Sequence, residues 1–322
     1  MNTPMQPSSN GNTASQRMIL CLRVLVVIEC FGLGGRYLFS SFETESDVYG
    51  WLYFDCRWSE SFAQSIDNGG ALMTLLAGGL LCLSGLLLPR PPNESPRLKI
   101  ARRLDQAAAL WIAIWMLTIA AAHMMRAAVF AELSLAEHAV RYAAPLAFAI
   151  CVGTDRKVAD RGVGSAMSSQ PARARFAVLM LTVAATFTFA AHGYKAYQCY
   201  APFTDLILLS DMQWTGTGCT QATAENILVV IGIADIIVAL ALLILRSRSA
   251  AFYMIVWGFV TAASRMTALG IEAWPETLIR VANGGVPLAI LTYWITIPKA
   301  IPLTTLPPRP PHDAANHANS PA

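Results

Sequence analysis

Along the chain, long apolar runs alternate with short polar clusters. Gly69–Leu88 is 20 residues without a charge, Gln106–Ala122 is 17 and Val281–Pro298 is 18. A helix rises 1.5 Å per residue, so helices built around such runs match a hydrocarbon core of about 30 Å. The pattern predicts eight spans, at about 19–40, 66–88, 105–130, 137–153, 174–198, 222–245, 249–270 and 277–297. The fourth has a short uncharged stretch. It crosses only if Glu137, His138 and Arg141 sit near one face of the bilayer or inside the bundle. The runs are too long and too continuously apolar for the period-two alternation of a membrane β-barrel. The expected fold is an all-α integral membrane protein with eight transmembrane helices.

Composition strengthens that reading. The 322 residues are 55% hydrophobic and 13% charged, with mean hydropathy +0.47, against about 25% charged in an ordinary soluble domain. Lys and Arg gather in 89–103 (Arg90, Arg97, Lys99, Arg102, Arg103), in 154–162 and at Arg173, Arg175, Arg246 and Arg248. Acidic residues dominate the longer loops 41–62 and 199–221. The positive-inside rule then places both termini on the cytoplasmic side of a cell inner membrane and those two loops outside. The polar stretch 1–18 has no apolar signal-peptide region and is expected to be disordered, as is the Pro/Asn-rich tail 298–322. Net charge is +3, and no compact basic domain or zinc-finger spacing points to nucleic acid.

The spans repeat. An offset of 158 superimposes Gly35 on Gly193 and Asn68 on Asn226; an offset of 139 superimposes Arg126 on Arg265, Glu137 on Glu276 and Arg141 on Arg280. Four spans per copy is an even number, so both copies enter from the same side, unlike the inverted repeats of many transporters. The expected organisation is a first four-span unit at 19–153, a basic linker at 154–173 and a second unit at 174–297.

Charges within and beside the spans supply the candidate chemistry. Glu137 and Arg141, like Glu276 and Arg280, stand four apart in the acid-first order that suits one helical face. His192, Lys195, Glu225, Asn226, Arg265, Glu276, Arg280 and Asn283 are expected to converge at the outer end of the second unit. Their first-unit counterparts or neighbours are Arg36, Asn68, His123, Arg126, Glu137 and Arg141, and span one also holds Glu29. The second pocket is the richer one. Asp235 lies near the middle of span six, where a carboxylate must be neutral or paired; it serves either as a buried hydrogen-bond partner between the units or as a proton carrier. Cys199 and Cys219 flank 19 loop residues, a spacing that admits a disulfide in an oxidising compartment. The remaining cysteines and the histidines form no metal pattern.

The segments "ARFAVLMLTVAATFTFAAHGYKAY", "PFTDLI", "ENILVVIGIADIIVALALLIL" and "ETLIRVANGGVPLAILTYW" resemble the DoxX-like superfamily of four-span membrane proteins, best over 174–296 and more weakly over 19–153. His192, Gly193, Lys195, Gly232 and Asp235 are the positions set against that family's polar and glycine features, with Gly34, Gly35, Asn68, Gly69 and Gly85 in the first copy. The resemblance implies an inner-membrane subunit associated with a redox complex. Quinone is the ligand it suggests, although no cofactor signature is evident. His192, Lys195 or Arg265 would donate to the quinone oxygens and Glu225 or Glu276 would accept protons. Two alternatives stand beside it: a proton-coupled transporter of a small solute or lipid head group, and a non-catalytic subunit that anchors a membrane complex.

Overall fold

The computed structural model describes residues 9–38, 46–87, 96–127, 129–153 and 163–297; the tail at 298–322 and the part of the basic linker at 154–162 lie outside them. The described chain is helical, with no strand. Among the described residues seven helices are long and apolar enough to cross a membrane, and a bent pair raises the number of spans to as many as eight. This is a multi-pass membrane architecture.

The first span is α1 (Ser9–Leu38). It begins inside the stretch expected to be disordered, because the buried Ala14 and Met18 continue its packed face toward the N-terminus. A short helix, α2 (Asp47–Gly50), follows and runs into one wide turn at Trp51–Asp55. Ser46 caps α2, its hydroxyl accepting from Val48 and Tyr49 amides at 3.1 and 3.2 Å. Then come α3 (Glu60–Leu87) and α4 (Pro96–Arg126). Because α4 starts at Pro96, part of the basic stretch expected as a connection forms its first turns; proline suits that position. The fourth span is broken. A 3-10 turn at Ala131–Leu133 leads into α5 (Ser134–Glu137), and α6 (Ala139–Val152) starts after His138.

The second part has the same order of elements. α7 (Val163–Tyr197) takes in residues expected to be linker, and α8 (Ala201–Ser210) ends in a wide turn at Asp211–Thr215. The two segments expected as loops therefore each contain a helix. α8 is apolar enough to lie against α9 (Gln221–Leu245) and α10 (Arg248–Leu269), just as α2 lies against α3 and α4. Another 3-10 turn, Ile271–Ala273, precedes α11 (Trp274–Ile279) and α12 (Ala282–Thr296), which meet at 45°.

Packing sorts the spans into inner and outer ones. The apolar windows of α1, the fourth span and α7 are 61% buried, against 28% for α3 and α9 and 22% for α10. Inner side chains such as Met18, Leu22, Phe148, Leu181 and Ile290 are fully enclosed. Leu76, Leu86, Val230, Ile244 and Phe252 point outward, where hydrocarbon solvates them. Lipid is as apolar as leucine, so association rests on close packing and on polar contacts. α1 packs on α11 and α12 as well as on α3, and α7 packs on α5 and α6 as well as on α9. Two glycine contacts show how closely. A Cβ on Gly32 would stand 2.7 Å from the Ile279 amide nitrogen, and one on Gly232 would stand 2.6 Å from the Gly193 carbonyl oxygen.

Candidate functional site

A helix leaves its first amides and last carbonyls without internal partners, so a break inside a span calls for polar groups from its neighbours. At the break in span four they come from α7. The Thr188 hydroxyl donates to the Ala136 carbonyl at 3.1 Å and accepts from the Val140 amide at 3.3 Å. Just beyond it, the Glu137 carboxylate receives Lys195 Nζ on one oxygen and lies 3.2 Å from His192 Nε2 on the other. Lys195 is only 3% exposed, and its ammonium also stands 5.2 Å from the Tyr200 ring centre. Glu137 is its charge partner in a place where a lone ammonium would be costly.

Span eight solves the same problem differently. Its break falls at Arg280 and Val281, after the arginine, so Glu276 and Arg280 remain one turn apart on the same side of the break. Arg280 Nη1 donates to the Glu276 carboxylate and, at 2.9 Å, to its carbonyl. Arg36 reaches across from α1, with Nε 3.4 Å from the other carboxylate oxygen. That oxygen accepts no hydrogen bond, so the contact is ionic.

In span four the break precedes the arginine. The expected Glu137–Arg141 ion pair is absent, because Glu137 has turned to α7, and Arg141 is left 8% exposed with its Nε unpartnered. Around it lie further unsatisfied groups. Arg265 Nε, His138 Nδ1 and Asn283 Oδ1 are enclosed without hydrogen bonds. So are both oxygens of Glu29, which is 0% exposed. Arg141 is within electrostatic reach of Arg280, Glu137, Glu29 and Glu276, and Arg265 within reach of Arg280, Glu276, Arg141 and Glu137. These side chains, drawn from α1, span four, α10 and span eight, make up one polar cluster, the basin. Buried groups of this kind cost about 1–3 kcal/mol each when left unpaired, and they recur where water, an ion or a ligand completes the network.

Other predicted residues lie elsewhere. His123 bonds Asp47 through Nδ1 at 2.9 Å and stacks edge-on to His138. Arg126 lies 3.5 Å from Asp55 and over the Phe54 ring, so the wide turn after α2 occupies it. Asn68 and Asn226 are exposed; beside Asn68, Asp67 accepts from the Ser46 hydroxyl at 2.6 Å. Glu225 accepts from Gln221 at 2.8 Å on an exposed edge. None of these contacts brings Asn68, Glu225 or Asn226 to the basin. Asp235 accepts from Tyr253 Oη and Trp257 Nε1, each at 3.3 Å. It therefore ties α9 to α10 and does not bridge the two parts of the chain. Cys199 and Cys219 are free thiols, directed at the carbonyls of Glu225 and Thr220. The loop is ordered by another device: Asp211 accepts from the hydroxyls of Thr215 and Thr217 and the amides of Cys219 and Thr217. Those bonds, led by the two hydroxyls, hold its carboxyl well below the usual carboxylate range.

Sequence reasoning did not single out the Arg23 network. Arg23 joins α1 to α3 and α4 through Asp105 at 2.6 Å, Ser84 at 2.6 Å and the Leu81 carbonyl at 2.8 Å. An arginine early in span one and an aspartate at the start of span three were the available signals. Among the described residues no group of three or more His, Cys, Asp or Glu is placed to hold a metal ion. Comparisons with protein-family models, curated proteins and solved structures give no match.

Proposed function

We propose that the protein is a ligand-binding membrane subunit of the DoxX-like kind, made of two four-span units. The common order of elements supports the duplication, as does the reciprocity of the ion pairs: Glu137 reaches a base on α7, and Glu276 one on α1. In this reading both termini are cytoplasmic and the α2 and α8 helices lie at the outer face of a cell inner membrane. The basin then opens toward the outer leaflet.

The observation that carries a binding role is the burial of Arg141, and of the Nε of the half-buried Arg265, without hydrogen-bond partners for either Nε. They, rather than His192 and Lys195, are the donors left over for the oxygens of a ligand. A membrane quinone fits as a head group with carbonyl acceptors and an apolar tail, and electrons would pass through redox partner subunits. The test is purification from native membranes in mild detergent, followed by solvent extraction, mass spectrometry and partner identification. The wild type should retain quinone, and an Arg141→Gln/Arg265→Gln double variant should retain at least about tenfold less, since each lost charged hydrogen bond is worth about 1.5–3 kcal/mol. Wild-type protein without any extractable ligand or redox partner would overturn the proposal.

The breaks in spans four and eight favour a second reading, transport, because discontinuous helices line many transporter sites. Flux in proteoliposomes that depends on Arg141 and persists in Asp235→Asn would establish it.

A further inference from the structure

The charges of the basin do not balance. Among the described residues, and leaving Arg36 aside, Arg141, Lys195, Arg265 and Arg280 face Glu29, Glu137 and Glu276, so cations exceed carboxylates even with every acid ionised. The pairing makes the excess local. Glu137 is occupied by Lys195 and His192, and Glu276 by Arg280 and Arg36. Among the described residues Glu29 alone remains for Arg141, without hydrogen-bonding it, and no unoccupied carboxylate remains for Arg265. Three arginines, Arg141, Arg265 and Arg280, thus stand within reach of one another in a low-dielectric enclosure. Mutual repulsion there is stronger than in water, and a neutral ligand would not relieve it.

Helix geometry adds to the same field. No side chain caps α12; backbone meets its first amides, Asn283 N–H donating to the Arg280 carbonyl at 3.0 Å and Gly284 N–H to the Val281 carbonyl at 3.2 Å, so only the dipole of the helix start is left uncompensated there. The start of a helix carries a partial positive charge and favours anions. Asn283, in its first turn, is buried with Oδ1 unpaired, and rotation of its amide would present a donor instead.

We infer that the basin binds an oxyanion of the phosphate class, held by Arg141 and Arg265 at the start of α12. The inference rests on the proposal that the basin is a ligand site, and it puts an anion between the arginines in place of the quinone head group. Guanidinium groups suit phosphate because their planar donors match two oxygens at once. The source is either a free anion or the head group of an anionic lipid entering from the membrane.

The test uses the purified full chain and follows thermal unfolding. One arm titrates inorganic phosphate against chloride at constant ionic strength, in neutral detergent. Another compares nanodiscs of phosphatidylglycerol with nanodiscs of phosphatidylcholine, and a third adds a short-chain quinone analogue. Phosphate or phosphatidylglycerol should raise Tm saturably by about 3–6 °C, and the arm that responds identifies the source. Arg141→Gln and Arg265→Gln should each abolish the increment, while Arg126→Gln, at the Asp55 contact, should keep it. Without anion, Arg141→Gln should unfold no earlier than the wild type, since it removes an uncompensated charge; earlier unfolding would assign Arg141 to holding Glu29 and overturn the inference. Arg141→Lys preserves the charge and should retain a weaker increment. A response to the quinone analogue alone overturns the oxyanion and leaves the ligand site standing. No response in any arm overturns both.

Discussion

Glu137–Arg141 and Glu276–Arg280 are the same four-residue spacing in two spans that both break, and they have opposite outcomes. In span eight the break follows the arginine, so acid and base stay together and Arg36 joins them. In span four the break comes first, so Glu137 goes to Lys195 and His192 while Arg141 stays unpaired. A shift of the break by a few residues thus decides whether an ion pair closes on itself or releases a guanidinium into the core. The helices that support the two breaks differ as well. α7 is stitched to span four by the Thr188 hydroxyl, whereas α1 meets span eight by backbone contact at Gly32.

Substitution of the acids tests this contrast with the largest expected effect. Glu137→Gln leaves the enclosed Lys195 without its carboxylate and should cost about 3–5 kcal/mol, read as loss of the folded fraction in denaturant titrations. Adding Lys195→Met should restore most of it; a double variant as unstable as the single would show that the pair is not the cause. Glu276→Gln is expected to cost less, about 1–3 kcal/mol, because Glu276, Arg36 and Arg280 keep partial access to solvent. Equal losses at the two acids would remove the distinction between the breaks.

The supporting contacts come next. Gly32→Ala places a methyl against the Leu278 and Ile279 backbone and should cost about 1–3 kcal/mol. Thr188→Val removes two hydrogen bonds at similar volume and should cost about 1–2 kcal/mol. Both are readable as shifts in thermal unfolding, and a neutral Gly32→Ala would mean that α1 and α11 have room to separate.

The smallest effect lies in the loop after α8. The Asp211 carboxyl is held below its ordinary range, so its contribution is complete above about pH 4, the unfolded value. It disappears as pH falls through the lower folded value. Protease cleavage within 211–219 should therefore be slow at neutral pH and in mild acid, and faster only in strong acid. Asp211→Asn should be cleaved rapidly at every pH. A loop equally resistant in that variant would deny Asp211 its ordering role.

Much of the fold was legible because a bilayer imposes a simple rule on composition: the uncharged run at Gly69–Leu88 could only be a span. Helix ends were less legible. Ser9–Met18 looks polar, and only the partners of Ala14 and Met18 show why it is helical. The candidate site was legible in content and not in pairing. Lys195, Glu276 and Arg280 stand where lone charges in apolar sequence suggested, yet nothing in the spacing of Glu137 and Arg141 reveals a break at His138. Asn226 and Glu225 were drawn in by the repeat, but the helix turns them to an exposed edge.

An electron cryo-microscopy map of the protein taken from its native membrane, with lipids retained, would look directly at the basin. With a bound ligand, non-protein density should lie within hydrogen-bond distance of Arg141 and Arg265, beside the first turn of α12, while Glu137 remains on Lys195. An empty basin in which Arg141 has closed onto Glu137 or Glu29 would contradict a binding role and leave span four as a second version of the self-contained pair in span eight.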